Sequence, residues 1–298
     1  MHIFLEVIFP VVLVFIVGFM IQKRLKVDIK AISTLVVYVF IPCLVFRTLS
    51  TTVFDTQYMY VIGFAVLQLV FTVAIVKVYV KMRKLPSNVE SGLILSTAFM
   101  NAGNFGVPII LFAYGTTGFD YAISFFVLSQ ILLNSIGLYY AARGAMSIKH
   151  AFQAVFKLPM IYAVIFALLL KGLNVQLPEN IFTMISFIGD AGIPCVMVIL
   201  GMQLAQIEVR NFKWELLSFA TIVRLFIAPI IAFGITQILT IDPLLQKVLI
   251  VIAALPTASS ATIFAIQFDS DAELVSGATL LTTIISFITV AALISIMG

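Results

Sequence analysis

The sequence predicts an all-α polytopic membrane protein, with ten transmembrane helices arranged as two inverted five-helix repeats. Of its 298 residues, 62% are hydrophobic and only 10% are charged, whereas soluble domains carry about 25% charged residues. The apolar residues form ten runs, most of them near the ~20 residues with which a helix crosses a bilayer. Prolines recur in the same order in the two halves of the chain. These observations together define the predicted fold class.

The ten apolar runs divide evenly between the two halves. Residues 1–142 would form the first repeat and residues 158–298 the second, joined by a short cytoplasmic connector at 143–157. No linker or low-complexity segment separates the runs. They cover residues 3–22, 31–50, 58–79, 91–114, 121–142, 158–174, 179–206, 215–239, 245–267 and 272–297.

The positive charges predict the orientation of the helices. Most of the 17 Lys and Arg residues follow runs 1, 3, 5 and 7, as Lys23 and Lys81 do. The opposite loops hold only Arg47, Lys171 and Lys247. Because cytoplasmic loops are enriched in Lys and Arg, we expect both termini on the non-cytoplasmic side of the cell membrane.

The proline pattern predicts the inverted repeat. Three prolines of the first half each have a counterpart about half of the chain later. The pairs are Pro10 with Pro159, Pro42 with Pro194, and Pro108 with Pro256. Because five crossings per half is an odd number, the second half must enter the membrane from the opposite side. Many secondary transporters share this architecture.

The fourth run is predicted to be a broken helix. Pro108 lacks an N–H group, and its ring clashes with the carbonyl of Asn104. Gly103 and Gly106 loosen the backbone, while Asn101 and Asn104 can bond the groups that the break leaves free. A lone proline is usually only a kink, but unwound backbone at membrane depth must be buried in protein or line a wet cavity. We therefore interpret this break as a transport site.

A second break is predicted at Pro256, in the ninth run. Thr257, Ser259 and Ser260 bring hydroxyl groups into the turn that follows it. Such residues often only pack or bond within their own helix, yet Pro256 is the counterpart of Pro108. We expect the two breaks to meet near the membrane midplane. There the half-helix N-termini would offer partial positive charge and free N–H groups to an anion.

Two charged residues inside the predicted spans, Asp190 and Arg224, are candidates for coupling. A charge inside the membrane is costly unless it is paired, although each residue could instead lie near a helix end and extend to the interface. Asp190 could carry a proton, or it could be a structural partner of Arg224. For Glu6 and Arg47, extension to the interface is the favoured interpretation.

With these residues assembled, the chain resembles the auxin efflux carrier family along its whole length. That family includes plant PIN-type auxin transporters and bacterial organic-acid permeases. The most specific motif is Asn-Ala-Gly-Asn-Phe-Gly-Val-Pro-Ile at residues 101–109. Further matching stretches lie at residues 41–46, 190–194, 200–205, 223–229 and 253–256.

The resemblance implies two inverted five-helix repeats, crossed broken transmembrane helices 4 and 9, a scaffold domain that often dimerises, and a carboxylate substrate. It also implies a substrate site at Asn101, Asn104 and Pro108 and around Pro256. The chain departs from many plant members in lacking their long cytoplasmic loop. This departure favours a compact microbial type that carries malate or a similar acid over a carrier of auxin itself.

The leading hypothesis is a secondary carrier of a small organic anion, a mono- or dicarboxylate such as malate or an auxin-like acid. It would work by alternating access at the crossing. A cation/proton antiporter is one alternative, but such antiporters usually need carboxylates at the crossing, and neither break contains Asp or Glu. A ligand-sensing membrane protein on the same scaffold is another.

Other classes of protein are not expected. The sequence lacks a His-Glu-x-x-His motif and predicts no enzyme activity, no cofactor or metal site and no nucleic-acid partner. The expected partners are a small carboxylate, the lipid bilayer, a second copy of the chain and a proton as coupling ion.

Overall fold

The structure is a computed structural model that describes residues 4–142, 148–207, 213–268 and 270–297. Within these residues the chain is helical, and no strand is found. This confirms an all-helical, polytopic membrane protein. The helices are α1 Glu6–Leu25, α2 Ile29–Thr51, α3 Thr56–Arg83, α4 Ser87–Ala98, α5 Ala102–Ala141, α6 Ile148–Val155, α7 Pro159–Gly172, α8 Glu179–Gln206, α9 Trp214–Ile238, α10 Pro243–Ala253, α11 Ser259–Gln267 and α12 Ala272–Met297.

Acidic residues in the loops begin three of the helices. The Asp55 carboxylate accepts a hydrogen bond from the backbone N–H of Gln57 at 2.8 Å, at the start of α3. Asp242 does the same for Leu244 at 2.8 Å, at the start of α10, and Asp28 caps α2. Each cap satisfies N–H groups that have no partner inside the helix, which is worth about 0.5–2 kcal/mol.

Seven helices in the described part of the chain are long and apolar enough to cross a membrane: α1, α2, α3, α5, α8, α9 and α12. The helices α7 and α10 are also apolar but have only 14 and 11 residues. The predicted ten runs therefore do not each become one long helix. Run 9 is divided between α10 and α11, and α5 includes the end of run 4 together with run 5. Ten crossings stay a prediction.

Gly115 divides α5 into two segments. Its φ of 67° and ψ of −161° lie in a region that favours glycine. A Cβ atom placed on Gly118 would lie 3.4 Å from Cγ2 of Ile110, although eight residues of a straight helix span about 12 Å. The chain therefore turns back at Gly115, which lies between the predicted runs 91–114 and 121–142.

The helices pack in two groups. In the first, α1 packs along the second half of α8, while α2 packs against α7 and the first half of α8. In the second, α3, α4, α5, α9, α10 and α12 pack around one another. Gly18 and Gly201 permit the close contact of α1 with α8, because a Cβ on either would overlap a backbone carbonyl oxygen of the other helix. Small residues commonly allow such approach between membrane helices.

The predicted connector at 143–157 is partly helical, since α6 lies within it. Its residues 143–147 lie outside the described residues. The boundaries of the two repeats, 1–142 and 158–298, stay predictions.

Candidate transport site

The two predicted breaks lie side by side and pair through their backbones. Between α4 and α5, and again between α10 and α11, the chain leaves helical geometry. Met100 and Thr257 form an antiparallel bridge. The N–H of Asn101 donates to the carbonyl of Pro256 at 2.8 Å, and the N–H of Ala258 donates to the carbonyl of Phe99 at 2.9 Å. Each break thus satisfies backbone groups of the other, as apolar surroundings require.

Side chains add further bonds between the two breaks, and the paired residues 99–101 and 256–258 are referred to as the crossing. The Asn101 amide donates to Oγ of Ser259 at 3.1 Å, and its oxygen accepts from the N–H of Asn104 at 3.2 Å. The Thr257 hydroxyl donates to the carbonyl of Ser96 at 2.6 Å. The structure therefore brings Asn101, Pro256, Thr257 and Ser259 into one bonded cluster.

Asn104 and Ser260 neighbour this cluster in the chain, but their side chains are not hydrogen-bonded to it. Both residues are partly exposed. Their side chains form no hydrogen bond within the residues that the structure describes, the only bond of Asn104 noted above being made by its backbone N–H. These two polar side chains therefore remain available to a ligand.

Pro108 and the two glycines shape the first break. Pro108 itself lies inside α5, so the helix breaks before Ala102 and not at Pro108 as predicted. The residues before it form a wide π-type turn at Ala102–Gly106, which tolerates a residue without a backbone N–H donor. A Cβ on Gly106 would overlap the side chain of Leu255, which belongs to the second break. A Cβ on Gly103 would likewise press on an aromatic ring of α5. The small residues thus let the breaks and the surrounding helices fit together.

Arg224 lies directly against the crossing. It is in α9, and its side chain is fully buried. Its Nη1 donates to the carbonyl of Thr97 at 2.6 Å, and its Nη2 donates to the carbonyl of Ala253. The suggestion that Arg224 pairs with Asp190 is therefore wrong.

Asp190 pairs with Arg47 instead. The Asp190 side chain is 63% exposed and that of Arg47 is 24% exposed. The reason lies one residue earlier, because a Cβ on Gly189 would be only 2.9 Å from the backbone of Leu44. This close approach of α8 to α2 brings Asp190 beside Arg47. Arg47 therefore forms an ion pair. The interpretation that its side chain extends to the membrane interface did not predict this partner.

A cavity of about 750 Å³ opens beside the crossing. Among the described residues that line it, Lys30 is the one that carries a charge, and no carboxylate is present. The polar side chains of its wall include Ser33, Gln203, Ser259, Thr262 and Thr279. The size suits a small organic molecule.

The N-terminus of α11 begins at the wall of this cavity. The residue before it, Ala258, offers no side-chain cap, and none is found in the described part of the chain. The first N–H groups of a helix have no acceptor within it. Ser259 and Ser260, which are partly exposed, therefore present backbone N–H groups and hydroxyls together with the positive end of the helix dipole. By contrast, Asn101 caps the start of α5 with its own side chain.

Several residues of the site were missed from the sequence. Gln203 and Thr279 line the cavity, Thr282 accepts from the N–H of Thr257 at 3.1 Å, and the carbonyls of Ser96 and Thr97 accept bonds across the crossing. No local motif marks these positions, because Ser, Thr and Gln are scattered through many of the runs. Only the packing of distant helices selects them.

Comparison with known proteins supplies the identity of the family. A family model described as membrane transport protein matches residues 3–155 and again residues 144–294. A protein of Methanothermobacter thermautotrophicus described as an uncharacterized transporter is 28% identical over 272 residues, which cover 88% of this chain and 86% of that protein. A second uncharacterized transporter, from Methanocaldococcus jannaschii, is 24% identical over 88% of this chain and 87% of its own length. The chain therefore belongs to the membrane transport protein family, the auxin efflux type that its motifs indicated, and is a membrane transporter.

Proposed function

We propose that the protein is a secondary carrier of a small organic anion, a mono- or dicarboxylate, which binds at the crossing of the two breaks. The observation that carries this proposal is the uncapped N-terminus of α11 at the wall of a largely apolar cavity that also holds hydroxyl and amide side chains. A helix N-terminus attracts anions through its free N–H groups and its dipole. Asn104 is bonded through its backbone N–H to Asn101, the residue that also bonds Ser259, and its side-chain amide is the donor that we assign to the substrate.

The charges around the cavity favour an anion over a cation. The charged residue in its described lining is a lysine, and the nearest buried charge at the crossing is that of Arg224. A sodium or proton site would need a carboxylate or a set of free carbonyls, whereas the carbonyls of Thr97 and Ala253 are engaged by Arg224. A cation/proton antiporter is therefore the weaker alternative.

Contacts between loops support ten crossings with inverted repeats. On the predicted outer side, the N–H of Asp242 donates to Gln57 at 2.9 Å. On the predicted cytoplasmic side, Lys213 pairs with Asp271 at 2.6 Å, and Arg83 pairs with Glu215. Each contact joins segments that the ten-crossing topology assigns to one membrane face.

The same topology gives the cavity a direction. Its wall includes Lys30 and Ile207, which follow the first and seventh runs and so belong to the predicted cytoplasmic face. We infer that this cavity gives access to the site from the cytoplasm and that alternating access would close it. Location in the cell membrane with both termini outside, a homodimer and a coupling proton belong to the same proposal. Asp190, which pairs with Arg47, stays the candidate proton carrier.

Flux of labelled carboxylates into proteoliposomes tests the proposal, with pH and sodium gradients imposed separately. Asn104→Ala and Ser260→Ala should raise KM about tenfold to hundredfold, since a hydrogen bond to a charged ligand is worth about 1.5–3 kcal/mol. Neither side chain bonds within the described residues, so the variants should fold normally. Ser295→Ala is the matched control, because that hydroxyl bonds only to Ala291 in its own helix.

The outcomes separate the alternatives. Flux with wild-type KM in both variants would contradict the proposed site. Binding of a carboxylate without flux would identify a ligand-sensing protein. Uptake of a cation in exchange for protons, with no carboxylate flux, would identify the antiporter.

A further inference from the structure

The most unusual charge in the molecule is that of Arg224, which is fully buried in α9. No carboxylate lies within ion-pair distance of it in the described part of the chain, where the ion pairs are formed by other residues. Its Nε also has no partner among these residues. Two backbone carbonyls, those of Thr97 and Ala253, are therefore the groups that hold the guanidinium.

Those two carbonyls have equivalent places in the two breaks. Thr97 lies in the last turn of α4, and Ala253 is the last residue of α10. The final carbonyls of a helix have no N–H partner within it and carry its partial negative charge. Arg224 thus joins the C-terminal ends of both first half-helices.

The neighbouring carbonyls at these helix ends have other donors. In α10, the carbonyls of Ile250 and Ile252 accept from the N–H groups of Ala254 and Leu255, and only Ala253 depends on the arginine. In α4, Ser96 accepts from Thr257. The carbonyls of Thr97 and Ala253 therefore accept hydrogen bonds from the guanidinium and not from a backbone N–H of the described crossing.

Half-helix ends that meet at the membrane midplane are places where transporters coordinate cations. Here the position between the two ends is taken by a side chain. We propose that Arg224 is a tethered cation, a positioning residue that holds both broken helices in register and makes a bound inorganic cation unnecessary. This inference deepens the proposed function by assigning what supports the substrate site. Replacing the side chain with a small neutral one should convert the position into a site for a free cation.

The test measures thermal unfolding of the purified full-length protein in sodium chloride and in choline chloride at equal ionic strength. Wild-type Tm should be the same in both salts. Arg224→Ala should have a clearly lower Tm in choline chloride, and its Tm should rise saturably with millimolar sodium or guanidinium. Arg224→Lys, which keeps a cation that can reach the carbonyls, should recover most of the stability and show no dependence on added cations. Arg47→Gln is the control, since that arginine pairs with Asp190 rather than with helix ends.

Each outcome decides the proposal. An Arg224→Ala protein with wild-type Tm, or with a reduced Tm that no cation changes, would overturn it. So would an Arg224→Lys protein as unstable as Arg224→Ala. If Arg224→Ala cannot be isolated in any salt, the lysine variant decides alone: a folded, cation-independent protein supports the proposal and a misfolded one overturns it.

The unfolding measurement needs no substrate, so it stands even if wild-type protein moves no carboxylate and the proposed function fails. Where flux is found, a second measurement follows. Arg224→Ala should need sodium for its KM to approach the wild-type value, whereas flux by the wild type should be indifferent to sodium. Loss of flux without any effect of sodium on KM would count against the tethered cation.

Discussion

Replacing glycine by alanine should have opposite effects on stability at different positions of this protein. At the contact between α1 and α8 it should lower Tm. A Cβ placed on Gly18 would overlap the carbonyl oxygen of Val198. Because that atom belongs to the backbone, no rotamer change can remove the overlap and the helices must separate. Inserting atoms into a packed contact costs about 1–3 kcal/mol, while Gly→Ala inside a helix returns about 0.5–1 kcal/mol. We expect Gly18→Ala to lose about 1–2 kcal/mol, or roughly 2–8 °C in Tm.

The exposed glycines provide the control for this prediction. At Gly63 in α3 and Gly234 in α9, no neighbouring atom lies within 4 Å of the position that a Cβ would occupy, so alanine there should raise Tm slightly or leave it unchanged. Gly201→Ala should behave as Gly18→Ala does, since its Cβ would overlap the carbonyl oxygen of Phe15. Thermal unfolding of detergent-solubilised variants measures all four. If Gly18→Ala and Gly63→Ala shift Tm in the same direction, the reasoning about the helix contact is wrong.

Three further predictions concern the crossing, the coupling and the topology. Thr257→Val should lower the free energy of unfolding by about 1–3 kcal/mol, because it leaves the carbonyl of Ser96 in α4 without its donor. The control Thr72→Val removes a bond within one helix and should cost less. Chemical or thermal unfolding compares the two variants. Asp190→Asn should fold normally, since its ion pair is partly exposed, and uptake under an imposed pH gradient then decides its role: a retained response excludes Asp190 as the proton carrier. Cysteines introduced at Val53 and Lys84, with the native cysteines replaced, should react with an impermeant thiol reagent from the outer and the cytoplasmic side respectively, and labelling from one side only would refute the ten-crossing topology.

The sequence located the breaks because each contains strong local signals. Proline removes a donor wherever it stands, and glycine loosens the backbone without regard to its neighbours. Pro256 therefore marked a true end of helical geometry, because it lies between α10 and α11. Pro108 marked the right run but not the exact place, since the first break lies between Ala98 and Ala102 and Pro108 is inside α5. The expectation that the breaks meet also followed from the chain alone, through their equal places in the two halves.

The charged residues were harder to interpret. Asp190 and Arg224 are both rare charges in apolar runs, and a sequence cannot tell which charges lie within ion-pair distance of each other. Tertiary structure gave each a different partner: Asp190 contacts Arg47, while Arg224 contacts backbone carbonyls. A carbonyl acceptor is invisible in a sequence, because every residue carries one. Its availability depends on where a helix ends and on which side chain reaches it.

The sequence by itself determined the helical membrane class, the family motifs and which two runs are broken, since composition, proline and glycine act locally. Only the tertiary structure decided that the N-terminus of α11 is open to a cavity while that of α5 is capped by Asn101. It also decided that Arg224 joins the two half-helix ends. The contacts of Arg224 join residues far apart in the chain, and the open N-terminus of α11 depends on which side chains lie near it. Both depend on packing in three dimensions, which no local sequence pattern records.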